Sequence, residues 1–362
     1  MIIKVNTAVP YSVVIENGAI DKIGQVAGAV FKPGSSAMVI SETNVFPHYG
    51  KRVMDSLEKS GFHAFKFVFS AGEEQKHMGT VSEIYRALAE NNFTRSDFII
   101  TLGGGVTGDM GGFAASTYLR GIDFIQVPTS LLAQVDASVG GKTGVDLAYG
   151  KNLVGTFHQP RAVIADPETL KTLPGAYFTD GMAEVVKYGC ICDKELFLDI
   201  ETGRAVKNLG ETIGKCIACK KELVEEDTND TGRRMILNFG HTFGHALEKL
   251  YGFKDLSHGR AVAIGMVMAA RIGESMNLTK KGTATRLEAV LGNLGLPIED
   301  QKPIEKIIDA TALDKKSSGK FLNLILLKEI GEPFIHQTER NYLVLRCKIM
   351  EEMQARAKYS QD

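Results

Sequence analysis

Three polar residues recur at helical spacing in the segment 238–245. A period of 3.6 residues puts Asn238, His241 and His245 on one face of a helix. Apolar neighbours such as Phe239 and Phe243 indicate that this face borders a packed cleft. Two imidazoles four residues apart form a known zinc geometry, although a packing or hydrogen-bonding pair of histidines gives the same pattern. A zinc peptidase would need a glutamate after the first histidine, where Thr242 stands, so the segment argues against peptide hydrolysis.

A catalytic zinc site needs a third protein ligand and an open fourth position. His258 is one candidate, because it starts the next helical run and could face the preceding helix. Glu184 is another, because it is a charged residue inside an apolar segment. One glutamate and two histidines would make the oxygen and nitrogen set that suits catalytic zinc. The alternative for Glu184 is an exposed carboxylate paired with Lys187 or Tyr188.

The cysteines offer a rival zinc site through Cys190, Cys192, Cys216 and Cys219. The pair Cys216 and Cys219 lies in a helical pattern without the turn residues of a zinc knuckle, and no second Cys-x-x-Cys is present in the sequence. Five scattered cysteines are typical of reduced core thiols in a reducing compartment. The sequence therefore favours the histidine set.

Composition indicates an ordinary globular enzyme. The chain of 362 residues is 44% hydrophobic, contains 38 glycines and has a formal charge of −1, so it carries no nucleic-acid footprint. The first residues alternate like a strand pair and carry no cleavable signal, and no apolar run reaches the roughly 20 residues of a membrane span. We expect a cytoplasmic protein with two domains.

The first half of the chain alternates between strand and helix patterns. Strands are predicted at 37–40, 65–69 and 98–102, and helices follow the first of them and occupy 80–91. Short apolar strands covered on both faces are typical of a parallel sheet of the nucleotide-binding type.

A glycine-rich segment, 103–112, follows the third of these strands and runs into a helical pattern. Glycines there let backbone N–H groups approach an anion at a helix amino terminus, as in pyrophosphate binding. The segment is not a clean dinucleotide fingerprint, and a tight turn is the alternative.

The segment 127–155 is similar to a phosphate-binding loop, because Lys142, Lys151 and Asn152 lie among glycines. It is not a Walker motif, since Gln134 or Asp136 falls where the first glycine should stand. An anionic partner is favoured, and flexible surface lysines are the alternative.

These motifs together resemble one family, the 3-dehydroquinate synthases of the shikimate pathway, along nearly the whole chain and in order. The matching segments are Leu102 to Asp109, Val127 to Asp136, Gly140 to Thr143, Gly150 to Leu153, Gly181 to Gly189 and Asn238 to His245. The resemblance implies an α/β, Rossmann-like NAD-binding domain over 1–178 and a mostly α-helical metal and substrate domain over 179–362, with the active site between them. It also implies zinc, or Co²⁺, on Glu184, His241 and His258, which leaves His245 near the substrate.

The resemblance further assigns the NAD contacts. They are Glu42, Asn44, Gly72, Glu73, Lys76, Gly104, Gly105, Val106, Thr107, Gly108, Asp109, Thr129, Ser130, Lys142, Lys151, Thr169, Leu170, Lys171 and Thr172. Two positions depart from the family pattern: Glu42 stands where an Asp is usual, and Ala71 where an Asp often precedes the Gly-Glu pair. A longer carboxylate can still accept from a ribose diol, so the departure affects geometry and not the cofactor.

By the same resemblance, substrate hydroxyls meet Asp136, Lys187 and Asn238, and the carboxylate meets Lys220 and Arg234. The phosphate meets Lys142, Asn152, His245, Lys315 or Lys316, and Arg120. An arginine at the Arg120 position tends to come from the neighbouring subunit in this family, which implies a homodimer.

The implied reaction converts 3-deoxy-D-arabino-heptulosonate 7-phosphate to 3-dehydroquinate and phosphate by transient NAD oxidation, phosphate elimination, reduction, ring opening and aldol closure. Other cyclases of the superfamily, acting on sedoheptulose 7-phosphate or glucose 6-phosphate, are the nearest alternative. Lys220 and Arg234 argue against them, because they suit a carboxylated substrate. A metal-dependent polyol dehydrogenase is disfavoured by the phosphate-type segment around Lys142, and a non-enzymatic binding protein would require a dead site.

Overall fold

The structure, a computed structural model, describes residues 1–311 and 321–347. The described strands are β1 (Ile2–Val5), β2 (Tyr11–Ile15), β3 (Ser36–Glu42), β4 (His63–Phe69), β5 (Phe98–Gly103), β6 (Asp123–Pro128), β7 (Lys142–Leu147), β8 (Gly150–Phe157), β9 (Ala162–Ala165), β10 (Phe321–Leu327) and β11 (Pro333–Glu339). The described α-helices include α1 (Ile23–Gly28), α2 (Phe46–Lys59), α3 (Met78–Glu90), α4 (Gly105–Thr117), α5 (Gly175–Ile191), α6 (Lys194–Glu201), α7 (Arg204–Lys207), α8 (Leu209–Glu226), α9 (His241–Leu250), α10 (His258–Ser275), α11 (Thr283–Asn293) and α12 (Ile304–Ala310).

The chain divides into two compact units. The first comprises Met1–Phe178 and Asn208–Asn229, and the second comprises Thr179–Lys207 and Asp230–Asp362. Within the described ranges, no helix has the length and apolar character needed to cross a bilayer.

The first unit is built on a seven-stranded sheet in the order β1-β2-β9-β6-β5-β3-β4. The pairs from β2 onward are parallel, and only β1 runs antiparallel to its neighbour β2. Alternate side chains enter opposite apolar layers: Val39 and Ile100 lie in the layer with α2, while Met38 and Ile99 lie in the layer with α3 and α4. This is the Rossmann-like α/β architecture expected from the alternating strand and helix patterns.

The order of strands reverses at β3, which has β4 on one side and β5 on the other. The carboxyl ends of these strands meet at one edge, since Glu42 pairs with Phe69 and Ser41 pairs with Leu102. Ligands of open α/β sheets bind at such a reversal. The fold therefore offers a nucleotide-binding edge formed by the carboxyl ends of β3, β4, β5, β6 and β9.

The segment with Lys142 forms an antiparallel hairpin of β7 and β8, in a two-stranded sheet of its own. Lys142 opens β7 opposite Phe157, while Lys151 and Asn152 lie on β8. The predicted phosphate-binding loop is therefore strand structure, because the alternating residues of 142–157 pair across a short turn.

Helix α8 differs from the sequence-based domain assignment. Its segment, 208–229, belongs to the first unit, although the boundary drawn at residue 178 would place it in the second. The reason is packing, because α8 contacts β1, β2 and the π-helix Ala133–Ala137. Its Lys220 side chain is buried there.

The second unit is mostly helical, as expected, with the small sheet of β10 and β11 added. Helices α9 and α10 form its most extensive helix pair. The two backbones approach closely where Gly265 of α10 faces Gly240 and the start of α9: a Cβ on Gly265 would lie 2.0 Å from the Gly240 carbonyl oxygen. The pairing of α9 and α10 therefore requires glycine at residue 265.

We expect Gly265→Ala to lower the free energy of unfolding by about 1–3 kcal/mol, because the new methyl group must push α9 away from α10. The matched control is Gly292→Ala on α11, where a Cβ meets nothing within 4 Å. The control should be neutral or stabilising by about 0.4–1 kcal/mol. Urea unfolding followed by circular dichroism measures both, and equal midpoints for the two variants would contradict the packing argument.

Candidate functional site

Helix α9 begins at His241, directly after Gly240 at φ 80°. Glycine adopts this left-handed conformation without the cost that a side chain would add. Asn238 therefore lies before the helix, in the 3₁₀-helix Arg233–Asn238, and its predicted position on the same helix face is wrong. His241 and His245 do share a face, with ring centroids 5.4 Å apart.

Helix α10 begins at His258, as expected, and its start is held against α5 by Asp180. Ser257 Oγ donates to Asp180 Oδ1 at 2.7 Å, and burial raises the pKa of the Asp180 carboxyl. A Cβ on Gly259 would lie 2.3 Å from the Asp180 carbonyl oxygen, so the two backbones touch. Asp180 lies four residues before Glu184 on α5, so this contact holds the start of α10, and with it His258, one turn from Glu184.

Glu184 is the centre of the polar cluster in the second unit. Its side chain is 1% exposed, and its Oε1 lies 3.4 Å from His241 Nε2 and 3.4 Å from His258 Nε2. Lys187, one turn along α5, places its ammonium 2.5 Å from Oε2. Burial alone would raise the pKa of Glu184, but Lys187 and the imidazoles outweigh it and hold the pKa well below its ordinary value. The interpretation of Glu184 as an exposed carboxylate is thus wrong, although its pairing with Lys187 is observed.

These three side chains fit a metal ion. One ligand atom from each of Glu184, His241 and His258 lies within 4.8 Å of the others. Neither oxygen of Glu184 receives a well-directed hydrogen bond from any residue in 1–311 or 321–347, despite full burial. A buried carboxylate in that condition is suited to bind a cation. The donor set of one oxygen and two nitrogens suits zinc-class ions and leaves a coordination position open.

A second set of possible ligands also lies within 4.8 Å of one another: His245, Glu248 and His258. His258 belongs to both sets, because Glu248 Oε2 lies 3.3 Å from its Nδ1. Burial lowers the pKa of His258, but the nearby carboxylates of Glu184 and Glu248 outweigh it and raise the pKa to about 10. The pKa of His245 is lowered to about 4, by burial of the ring against its neighbours and then by His241 and His258. His245 is therefore neutral at pH 7.

In the first unit, the expected NAD contacts follow the carboxyl ends of the strands. Glu42 ends β3, Thr129 follows β6, and the run 169–172 lies in the 3₁₀-helix Pro167–Thr172 after β9. The glycine-rich segment is more helical than predicted, because α4 begins at Gly105. Among the residues that the structure describes, no side chain caps its amino terminus, which follows β5 directly, so the N–H groups of the first turn are available to a ligand. That arrangement suits a pyrophosphate.

Lys76 links this edge to the hairpin of β7 and β8. Its buried ammonium donates to Asp109 Oδ2 at 2.7 Å and to Asn152 Oδ1 at 2.6 Å. Burial lowers the pKa of Lys76, but Asp109 and Glu73 outweigh it and the net pKa is raised. Lys151 lies 3.5 Å from Glu73. Asn152, expected at the phosphate, is thus in contact with the expected NAD set.

Asp136 and Lys220, two of the expected substrate contacts, meet in the first unit. Lys220 Nζ donates to the Asp136 carbonyl at 2.6 Å and lies 3.1 Å from its carboxylate. Asp136 sits in the π-helix Ala133–Ala137, a rare conformation that is frequent at functional sites. Gln134 anchors this turn through bonds to Pro128, Asp166 and Thr169.

The remaining expected substrate residues lie on separate elements. Lys142 is exposed on β7, Arg120 is exposed in a left-handed turn at φ 70°, and Arg234 is buried in the second unit. Lys315 and Lys316 lie outside the described residues.

Sequence reasoning missed Asp180 and Glu248. Glu248 had a usable signal, because it stands seven residues after His241 and hence on the same face of α9. Asp180 had none, since its contact with Ser257 is long-range.

The cysteines form no part of a metal-compatible group among the described residues. Cys190, Cys216 and Cys347 are buried and are not in disulfide bonds, and burial raises the pKa of Cys190. The expectation of reduced thiols throughout is wrong for Cys192 and Cys219, which are disulfide-bonded.

Comparisons with known proteins show the family and the fold of this chain. Residues 66–180 match the family "3-dehydroquinate synthase N-terminal", and residues 181–317 match "3-dehydroquinate synthase C-terminal". A 3-dehydroquinate synthase of Clostridium acetobutylicum is 47% identical over 91% of this chain and 94% of its own length. A crystal structure of 2-deoxy-scyllo-inosose synthase complexed with carbaglucose-6-phosphate, NAD⁺ and Co²⁺ has a TM-score of 0.81 at 25% identity, covering 96% of this chain and 99% of that one. The fold of a Streptomyces hygroscopicus 2-epi-5-epi-valiolone synthase with NAD⁺ and Zn²⁺ is also similar, with a TM-score of 0.84 at 24% identity, 97% of this chain and 99% of that one.

We expect one zinc-class ion per chain, and we expect His241→Ala to abolish its retention, because two ligands cannot hold the ion against dilution. Elemental analysis after gel filtration measures the occupancy. Cys216→Ser is the control, since Cys216 is buried outside the cluster, and it should keep the ion. Full occupancy in His241→Ala together with loss in Cys216→Ser would instead support the cysteine site.

Proposed function

Because this chain belongs to the 3-dehydroquinate synthase family, we propose that it converts 3-deoxy-D-arabino-heptulosonate 7-phosphate to 3-dehydroquinate and inorganic phosphate. The enzyme is then a carbon–oxygen lyase of the shikimate pathway, which leads to the aromatic amino acids. The observation that carries this proposal is the 47% identity to a 3-dehydroquinate synthase along 91% of the chain.

Sequence identity also favours a 3-dehydroquinate synthase over the alternative sugar-phosphate cyclases. The 2-deoxy-scyllo-inosose synthase, crystallised with an analogue of a sugar phosphate without a carboxylate, is only 25% identical. In addition, this chain offers buried cations, Lys220 and Arg234, which suit a carboxylated substrate. Both observations favour the heptulosonate over the uncarboxylated sugar phosphates.

We assign NAD and zinc, with Co²⁺ as a possible substitute, as the cofactors. Glu184, His241 and His258 would hold the metal, and the first unit would hold NAD along the edge that runs from Glu42 to Thr172. When bound, the metal would acidify a substrate hydroxyl, and NAD would accept the hydride from the carbon that bears this hydroxyl; the ketone formed there would make the neighbouring C–H acidic enough for phosphate to leave. Residues 1–178 would thus serve the cofactor, and residues 179–362 would serve the metal and the substrate.

The NAD assignment is supported by the groups present at the edge. The uncapped start of α4 supplies N–H donors over Gly105, Val106 and Thr107 for a pyrophosphate. Glu42 already accepts from Asn44 N at 2.7 Å, which shows that its carboxylate can bend back over the end of β3. A ribose diol could compete for that acceptor. Among the other proposed contacts, Lys171 and Thr172 are exposed. Lys76, Thr129, Thr169 and Leu170 are buried.

The substrate contacts are proposed by the chemistry of each residue. Asp136, Lys187 and Asn238 would bind the hydroxyl groups, and Lys220 and Arg234 would bind the carboxylate. Lys142, Asn152, His245, a lysine of 315–316 and Arg120 would orient the phosphate as it departs. Because its pKa is lowered to about 4, His245 is neutral at pH 7, and its ring would hydrogen-bond the phosphate without adding a charge.

We also propose a homodimer in which Arg120 reaches the site of the neighbouring subunit. Leu119 and Arg120 both have positive φ, so the turn presents an exposed guanidinium at a cost in backbone strain. The hairpin of β7 and β8 exposes Tyr149, Leu153 and Phe157, at 92%, 55% and 47%. Grouped apolar exposure of this kind favours a protein interface. A cytoplasmic location is proposed from the sequence features alone.

The decisive assay tests whether the hydride taken up by NAD returns to the substrate or leaves the enzyme as NADH. With zinc, catalytic NAD and the heptulosonate phosphate, we expect inorganic phosphate in many-fold excess over NAD and no net absorbance of NADH. A polyol dehydrogenase would accumulate NADH in step with substrate. Sedoheptulose 7-phosphate serves as the matched substrate without the carboxylate, and its preference by the enzyme would overturn dehydroquinate synthesis while retaining a cyclase.

Complementation tests the position of Arg120. Arg120→Ala and His241→Ala should each be inactive alone. In an equal mixture about half of the dimers contain both variants and have one intact site of two, so the mixture should recover about a quarter of the activity. The control pairs His241→Ala with Glu184→Gln, two changes in one metal set, and should recover nothing. Absence of recovery in the first mixture, with mixed dimers present by mass spectrometry, would place Arg120 in its own subunit's site.

A further inference from the structure

Both ring nitrogens of His258 face carboxylates. Nε2 lies 3.4 Å from Glu184 Oε1, and Nδ1 lies 3.3 Å from Glu248 Oε2. Glu248 is 3% exposed, on α9, while His258 begins α10. A carboxylate accepts hydrogen bonds and has no proton to donate, so each of the two nitrogens faces an acceptor. When an ion bound beside Glu184 replaces the hydrogen on Nε2, the hydrogen that remains is the one on Nδ1, which faces Glu248.

His241 is held in a corresponding way by a different acceptor. Its Nδ1 lies 3.2 Å from the Phe239 carbonyl oxygen, and its Nε2 lies 3.4 Å from Glu184 Oε1. A carbonyl oxygen likewise only accepts, so Nδ1 of His241 is also the protonated nitrogen. Each imidazole therefore has an acceptor behind Nδ1 and turns Nε2 toward the same carboxylate. The metal-facing edge of each ring is fixed by a group on its opposite edge.

We propose that Glu248 is a positioning residue that holds His258 as the Nδ1–H tautomer, so that Nε2 presents its lone pair to the metal bound with Glu184 and His241. This inference rests on the metal assignment of the proposed function. His258 needs such a partner more than His241 does, because it opens its helix and its side chain is 32% exposed, against 11% for His241. The Glu248 carboxylate restricts a ring that its surroundings leave partly open.

The competing possibility is that Glu248 is itself a ligand, with His245 and His258. The two roles use opposite edges of the His258 ring. A metal bound to Glu248 would sit on the Nδ1 side, away from Glu184, whereas a positioned ring leaves Nδ1 protonated. Removal of Glu184 and removal of Glu248 therefore have different consequences in the two cases.

The test measures Co²⁺ affinity by competition with a chelator, together with the visible spectrum of bound Co²⁺. We expect Glu248→Ala to weaken Co²⁺ binding by about 10–100-fold and Glu248→Gln by less, since the amide oxygen still accepts from Nδ1–H. The shape of the Co²⁺ spectrum should be retained in both, because the three ligands are unchanged. Glu184→Gln should lose the ion. The matched control is Glu288→Gln. The Glu288 carboxylate lies outside the cluster and pairs with Arg271 at 2.7 Å, so this variant should bind Co²⁺ as the unmodified chain does.

Nitrogen-15 NMR of histidine-labelled, zinc-loaded protein gives a readout independent of affinity. His258 should show a protonated Nδ1 in the unmodified chain, and this signal should shift or exchange faster in Glu248→Ala. Thermal unfolding checks that the variants are folded, and the Gln variant remains informative if the Ala variant is not. The inference would be overturned if Glu248→Ala bound Co²⁺ as tightly as the unmodified chain. It would also be overturned if the Glu248 variants altered the Co²⁺ spectrum while Glu184→Gln retained the ion. Unchanged binding in both His241→Ala and Glu184→Gln would instead overturn the metal assignment of the proposed function.

Discussion

The second unit is organised around one buried charge, the carboxylate of Glu184. An ionised group at 1% exposure must be compensated, because its desolvation costs several kcal/mol. Lys187 supplies a full positive charge from the next turn of α5, while His241 and His258 approach from α9 and α10. Three helices must therefore converge on one point. The glycine contacts between α9 and α10 and the contact of Gly259 with Asp180 make that convergence possible.

The same constraint explains why the cluster is prepared for a metal. Lys187 compensates the carboxylate on one oxygen, and the other oxygen faces two imidazole nitrogens whose opposite edges are held by acceptors. Ligands arranged in this way lose little conformational freedom when an ion binds. The groups around the three ligands thus fix both the direction of the imidazole nitrogens and the tautomer of each ring.

The first unit solves a similar problem with a buried ammonium. Lys76 is 4% exposed, and it is satisfied by Asp109 on α4 and Asn152 on β8. The bond to Asn152 ties the hairpin to the helix whose amino terminus faces the sheet edge. Lys220 does the same for the π-helix that carries Asp136. In both places a buried lysine couples an element expected to bind cofactor or substrate to the scaffold.

The sequence by itself determined the types of element, the alternation of strand and helix in the first half, and the family, because these depend on local periodicity and on motifs such as 102–109 and 238–245. It also supplied the candidate ligands Glu184, His241 and His258, although spacing alone left the third ligand open. Only the tertiary structure decided that Asn238 precedes the helix, that 208–229 packs with the first unit, and that Lys142 lies on a hairpin. It likewise brought Glu248 behind His258 and Asp180 against Ser257. Each of these depends on contacts between elements or on the backbone angle of a single glycine. Helical spacing places Glu248 on the same face as His241, but it does not show the contact of Glu248 with His258 on another helix.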